Sequence, residues 1–179
     1  KSTLASIAFP AWHLGRNPGH EFISCSYSGS LAMSFSRKVR QLLREPGYKN
    51  IFENTKLDRD SQSVESWQTT EMGGYVAAGV GGGITGKGAH ILLIDDPVKN
   101  REDAESENNR EATWDWYTST AYTRLSPGGG ILVILTRWHD DDLAGKLLMA
   151  SENGADDWEV VKYPAIAEED EEFRKQGEP

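Results

Sequence analysis

With 179 residues, 37% of them apolar and 26% charged, the chain suits one globular domain with a sizeable core. Its net charge of −9 argues against nucleic-acid binding over the whole surface but leaves room for a local basic face. No apolar run approaches the roughly 18 residues needed to span a membrane, and the single cysteine, Cys25, excludes an internal disulfide and fits a reducing cytosol, where it reads as a core residue.

Lys1-Ser2-Thr3 runs into Leu4 to Phe9, which read as the apolar face of a helix ending between Pro10 and Gly15. Taken alone, the tripeptide is an ordinary solvated terminus. It is also how a phosphate-binding loop, G-x-x-x-x-G-K-[ST], ends before its helix. In that reading Lys1 reaches the β- and γ-phosphates, Ser2 offers its hydroxyl to Mg²⁺, and the first helical amides complete the cradle. The loop glycines would then precede residue 1, so the chain is expected to be cut inside its own motif. The start carries neither Met nor the apolar core of a signal peptide.

Glu21 to Tyr27 read as a strand, and Ser28-Gly29-Ser30 open a helix with Leu31, Met33, Phe35, Val39, Leu42 and Leu43 on or near one face. Pro46-Gly47 are expected to end it. Its polar side carries Arg37, Lys38, Arg40 and Arg44, the basic cluster of the chain, which reads either as a solvated helix face or as a contact for a DNA backbone. Residues 51–62 read as polar loop. Val64 to Thr70 alternate with period two, Glu71 to Gly74 make a turn, and Tyr75 to Val80 follow, which is a β-hairpin signal. Gly81 to Gly88 do not meet the phosphate-loop order and read as a mobile loop whose one charge is Lys87.

The chain is organised around His90-Ile91-Leu92-Leu93-Ile94-Asp95-Asp96-Pro97. A short uninterrupted aliphatic run, with glycine before it and proline after it, reads as a strand buried on both faces of a parallel sheet. Two acids at its carboxyl end sit where open α/β sheets place ligands: one can hold Mg²⁺ and the next can polarise a water, the Walker B arrangement of a P-loop NTPase. The plainer reading is a turn and a helix cap. Glu102 to Ser119 then read as one helix with Trp114 and Tyr117 toward its apolar side, and Tyr122 to Leu125 continue or cap it. Ser126 to Gly130 read as a break. Ile131 to Leu135 read as a second buried strand, ending in Thr136 and Arg137 close to where a γ-phosphate would lie. Arg137 can instead pair with Asp140 to Asp142. His139 beside those acids invites a metal reading, but Asp141 and Asp142 look like the start of a helix over Leu143 to Ala150. Trp158 to Tyr163 read as a last strand, and Glu168 to Glu172 as an acidic, solvated stretch.

These residues resemble the ATPase part of the large terminase subunit of tailed bacteriophages and prophages. The resemblance rests on Lys1-Ser2-Thr3, the hairpin with Gly81 to Gly88, Ile91 to Asn100, Trp114 to Thr120, Tyr122 to Leu125, Thr136 to Gly145, and Tyr163 to Asp170, so it covers nearly the whole chain. It implies a RecA-like P-loop α/β fold over residues 1–163, with a mainly parallel central sheet flanked by helices and a β-hairpin insertion. Residues 164–179 would be a linker toward a separate nuclease domain. The implied activity is ATP hydrolysis that drives double-stranded viral DNA into a procapsid. The implied cofactors are ATP and Mg²⁺. The implied partners are DNA, the portal protein, the small terminase subunit and further copies in a ring, with no membrane. The implied location is the host cytoplasm, transiently at the portal.

Carried over by position, Lys1, Ser2 and Thr3 would end Walker A, and Ser2 and Asp95 would hold Mg²⁺. Asp96 stands where many relatives have a water-orienting Glu, one methylene longer. Thr136 and Arg137 would fall in the coupling motif, with Arg137 also a catalytic candidate. Lys87 and Arg124 are rivals to Arg137 for a charge reaching a neighbour's nucleotide, although a lysine cannot offer a bidentate fork. With half of Walker A expected to lie upstream, the chain alone is expected to bind ATP poorly. Three other readings compete: a helicase-type RecA-like ATPase, a non-catalytic docking module, and a metal-dependent nuclease built on Asp95, Asp96 and Asp140.

Overall fold

The aliphatic run forms β5 (Ala89–Asp95), and its position in the sheet explains its composition. In the computed structural model, which describes residues 1–84, 86–162 and 164–179, six strands form one mixed, mostly parallel sheet in the order β2-β3-β4-β1-β5-β6. β1 (Glu21–Ser26) pairs in parallel with β4 (Gly74–Gly79) on one side and with β5 on the other, and β5 pairs in parallel with β6 (Leu125–Ile134). β2 (Leu57–Gln62), β3 (Ser66–Thr69) and β4 are antiparallel. The central strands have neighbours on both edges and helices to cover them, so they are buried nearly throughout.

In a parallel sheet, residues in register share a face. One face carries Trp67, Tyr75 and Phe22 in register on β3, β4 and β1. Their rings stack, Trp67 on Tyr75 at 5.4 Å and Tyr75 on Phe22 at 6.1 Å, and Phe9 meets Phe22 edge-on. A helix covers this row: its first part, Thr3–Ala8, is π-helical, and its second is α1 (Phe9–Arg16). α2 (Gly29–Leu42), capped by Ser28, adds Ala32 and Val39 to the same core. Trp67 also donates its indole N–H to Ser36 Oγ, which in turn donates to the Val64 carbonyl.

Several elements depart from expectation. The first helix ends at Arg16, next to the expected stop near Pro10 to Gly15, and Pro10 does not break it: the Phe9 N–H bonds the Leu4 carbonyl in π register, so Pro10, which has no donor, falls where the register changes. α2 ends at Leu42, ahead of Pro46-Gly47 as expected, but the pair also begins a helix, because Pro46 takes the first position of α3 (Pro46–Ile51). Residues 51–62, read as loop, contain β2, an edge strand without apolar alternation whose Gln62 is held by Arg40 and Arg44 of α2. The β3–β4 hairpin is not an insertion, since β4 lies against β1 inside the sheet. Its turn passes so close to the preceding loop that a Cβ on Gly73 would lie 2.2 Å from the Pro18 carbonyl.

Glu102 to Ser119 do not form one helix. Asn100 caps α4 (Arg101–Glu105) and Ser106 caps α5 (Glu107–Trp116), and two caps six residues apart divide the segment. A π-helical turn over Tyr117–Ala121 follows, where Thr118 and Ser119 hydroxyls bond carbonyls of the preceding turn. Ser126 to Gly130 are no break either. β6 passes through them by a register irregularity, with Gly128 at φ +76°, and a proline is tolerated because β6 is an edge strand. For the same reason β6 is half-exposed and not buried as expected. No strand forms over the described part of 158–163; Tyr163 lies outside the described residues. α6 (Leu143–Glu152) begins after Asp142, as expected.

Two compact units are distinguished, Lys1–Lys146 and Leu147–Pro179. In the second, Ala167 exchanges backbone hydrogen bonds with Gly177 and Glu178, and Arg174 joins Glu171 to the Pro164 carbonyl. Among the described residues no helix is long and apolar enough to cross a membrane.

Two predictions follow from the packing. Trp67→Ala removes a fully buried stack and an indole hydrogen bond, and should lower the unfolding free energy by about 3–5 kcal/mol in chemical denaturation. The second concerns three histidines gathered at the start of β1 and β5. His13 Nε2 lies 3.0 Å from His20 Nδ1, and His20 stacks on His90 at 4.3 Å. Burial first, then neighbouring imidazoles, push His13 and His20 below the ordinary value of 6.5. The unfolded chain therefore binds these protons at higher pH than the folded one does. Stability should be fully present above pH ~6.5 and decline as the pH falls below it, in denaturation series across pH 7.5 to 5. His13→Gln with His20→Gln should flatten that decline.

Candidate active site

Parallel pairing brings the carboxyl ends of β1, β5 and β6 to one edge of the sheet, the edge at which such sheets take ligands. Asp96 leaves β5 there with its backbone clamped on both sides: its N–H donates to the Ile134 carbonyl at 2.7 Å, and its carbonyl accepts from Tyr27 N–H at 3.0 Å. The clamp holds Asp96 at φ +47°, a conformation that costs a non-glycine residue of order 1 kcal/mol. It turns the carboxylate of Asp96 to a different direction from that of Asp95.

Asp96 Oδ1 accepts from Lys1 Nζ at 2.7 Å and from the Thr136 backbone N–H at 3.2 Å. Lys1 Nζ also donates to Thr136 Oγ1 at 2.9 Å. Lys1, Asp96 and Thr136 are thus brought together from the start, middle and end of the first unit. The ion pair is half-exposed. It is therefore worth little as a stabiliser, and its ammonium is open to exchange one oxygen ligand for another.

Asp95 is buried beneath this cluster. Its Oδ2 accepts from Ser6 Oγ at 2.5 Å, while its Oδ1 is buried without a hydrogen-bond partner. Ser6 lies one helical turn beyond Ser2, so the hydroxyl that meets Asp95 belongs to a residue that sequence reasoning missed. The only signal for it was helical spacing from the Lys1-Ser2 pair. Ser2 is half-buried and Thr3 exposed at the mouth of the helix. Ser26, in register with Asp95 on β1, has a buried hydroxyl that is likewise unpaired.

Arg137 turns away from Lys1. Its Nε donates to Asp142 Oδ2 at 2.7 Å and its guanidinium to the carbonyls of Asp140 and His139, so the ion pair with the acidic cluster is the arrangement found. Asp142 uses its other oxygen to cap α6 through Gly145 N–H. Gly145 is required by this loop, because a Cβ there would lie 1.8 Å from the Asp140 carbonyl. His139 Nδ1 accepts from the Asp141 backbone N–H. Lys87 is exposed, and Arg124 donates to its neighbour Thr123. Neither is brought to Lys1 and Asp96.

A family model for the N-terminal part of the T4likevirus-type terminase large subunit matches residues 1–179. The chain belongs to that family. No curated protein sequence matches it. Among solved structures, the large terminase of bacteriophage HK97 is similar at 15% identity and a TM-score of 0.44, over 76% of this chain and 26% of that one. The chain thus spans about a quarter of that terminase's length.

The donor set of the site suits a hard divalent cation. Asp95 has a carboxylate oxygen without a partner, Asp96 and the hydroxyls of Ser2 and Thr136 are oxygen donors at the same edge, and Mg²⁺ bound with phosphates needs only one or two protein carboxylates. Among the described residues no group of three or more His, Cys, Asp or Glu is placed to hold a metal by itself.

Ser6→Ala would leave both oxygens of a buried carboxylate unpaired. It should destabilise the domain by about 1–3 kcal/mol, measured by urea denaturation, whereas Thr3→Ala at the exposed mouth should change stability by less than about 0.5 kcal/mol.

Proposed function

We propose that this chain is a RecA-like P-loop ATPase that drives packaging of double-stranded viral DNA into a procapsid. The observation that supports this most is the meeting of Lys1 with Asp96 and Thr136 at the carboxyl edge of a parallel sheet, with Asp95 buried beside them. An ammonium held between a carboxylate and a hydroxyl is a preformed place for phosphate oxygen: Lys1 can give up either contact for the phosphoryl group of ATP. Asp96, clamped at its backbone, is the group that orients the attacking water. Its shorter reach compared with Glu is offset by the turn at φ +47°, which presents the carboxylate at the edge. Asp95 and Ser2 would hold Mg²⁺, which when bound neutralises charge on the phosphates.

Thr136 touches Lys1 through its hydroxyl and Asp96 through its amide, so a change in either reaches β6 and the loop Arg137 to Asp142 behind it. That connection is the route by which hydrolysis would move DNA. Arg137 is held by Asp142, which leaves Lys87 and Arg124 as the cations able to reach a neighbouring subunit in a ring. Portal protein and small terminase subunit are the partners this reading implies, in the host cytoplasm and transiently at the procapsid portal. Family membership separates the chain from the helicase-type alternative.

The test is ATP turnover by the large subunit carrying this sequence, with and without double-stranded DNA. Asp96→Asn should lower kcat by about 10²–10³-fold while nucleotide binding persists, and Asp95→Ala should abolish Mg²⁺-dependent turnover. Unchanged turnover in both variants would rule out the site.

A further inference from the structure

We propose that the face built by α2, α3 and β2, at the opposite edge of the sheet from β6, is a docking surface for the phosphate backbone of double-stranded DNA. Between Arg37 and the end of β2 at Gln62 stand seven basic side chains, Arg37, Lys38, Arg40, Arg44, Lys49, Lys56 and Arg59, against four acids, Glu45, Glu53, Asp58 and Asp60, in a chain whose net charge is −9. Among the described residues none of the seven takes part in an ion pair. Elsewhere Lys1, Arg101, Arg110, Arg137, Lys146, Arg174 and Lys175 each have a carboxylate partner, and among the described residues the cations without one, Arg16, Lys87, Lys99, Arg124 and Lys162, are scattered along the sequence. Among the described residues the face thus keeps a net positive charge with no cation tied up in an ion pair.

Arg37 and Arg40 stand one turn apart on α2, and Arg44 follows in the turn just beyond its end, so like charges repel along one side. The effect is visible at Arg40, whose ordinary value is lowered by burial and then by Arg44 and Arg37. Arg40 and Arg44 are tied down onto Gln62 of β2, which fixes the stripe against the sheet. Beside it lies a groove of about 870 Å³ between the end of α2, α3 and β2, edged by Arg44, Lys49, Lys56 and Arg59. Glu53, Asp58, Leu43 and Leu57 also line it, and among the described residues neither acid forms an ion pair. The rim of the groove carries four exposed cations, Arg44, Lys49, Lys56 and Arg59. It suits a polyanion, for which rows of exposed cations release counterions on contact. That the polyanion is DNA rests on the packaging reading; that the face takes a polyanion does not.

The test is fluorescence anisotropy of a labelled duplex of arbitrary sequence with the protein, without nucleotide, over a salt series. Arg37→Gln/Lys38→Gln/Lys49→Gln/Lys56→Gln neutralises four exposed side chains outside the nucleotide site. It should bind at least about tenfold more weakly at low salt, and the slope of log affinity against log salt should flatten by up to about 3.6, roughly 0.9 for each of four lost phosphate contacts. Near-UV circular dichroism should match wild type. A control neutralising Lys99, Arg101, Lys162 and Lys175 should keep most of the affinity. Equal losses in the two variants, or no loss in the first, would overturn the proposal. Displacement of duplex by polyglutamate at comparable charge concentration would overturn it in favour of an acidic protein partner. DNA binding that depends on this face, combined with ATP turnover indifferent to Asp96→Asn, would sink the motor reading and leave the docking surface standing.

Discussion

The Lys1 ammonium reaches across 135 residues of sequence to Thr136 and across 95 to Asp96, and it can do so only because β1, β5 and β6 run parallel and in register. Parallel pairing makes all carboxyl ends share one edge. A helix that packs along the sheet returns its own start to that edge. The site is the consequence: an ammonium, two carboxylates directed differently and a hydroxyl, supplied by segments that have no local reason to meet. Asp96 makes the arrangement tight, since its backbone bonds to both neighbouring strand ends while its side chain serves Lys1.

Beneath the edge, polarity continues into the core. Ser24 and Ser26 of β1, Tyr75 of β4 and Asp95 of β5 lie on the same face, and each has a buried polar atom without a hydrogen-bond partner. Burial pushes the Tyr75 hydroxyl far above its ordinary value, so it stays protonated and able to donate. Such groups cost stability in an apolar core and are retained where a site uses them. The aromatic row of Trp67, Tyr75 and Phe22 directly alongside supplies the packing that offsets that cost.

Charge is divided across the fold in the same economical way. Asp141 and Asp142, after β6, are matched by Arg110, Lys146 and Arg137, and Asp142 also caps α6. Among the described residues the cations of α2, α3 and β2 take part in no ion pair. An acidic protein that leaves one basic face uncompensated keeps a long-range field there, the condition for steering a polyanion to one side of the molecule.

What could be read without coordinates was whatever is local. The apolar run of β5, the Ser28 and Asp142 caps, the period-two pattern of β3 and the acids at the end of β5 all carry their cause within a few residues. The resemblance to terminases, which the family match bears out, rests on such strings. Tertiary structure decided the rest. β2 has no apolar pattern, and it is a strand because β3, Arg40 of α2 and Arg44 just beyond that helix hold it. The glycines of β6 read as a break, but an edge strand can absorb a bulge. Ser6 contacts Asp95 only after a π-helical turn sets its direction. Sequence by itself determined the α/β class, the strands that end in functional groups and the family. Which groups meet was left to the pairing of strands, because hydrogen bonds between distant segments leave no periodicity for a sequence to display.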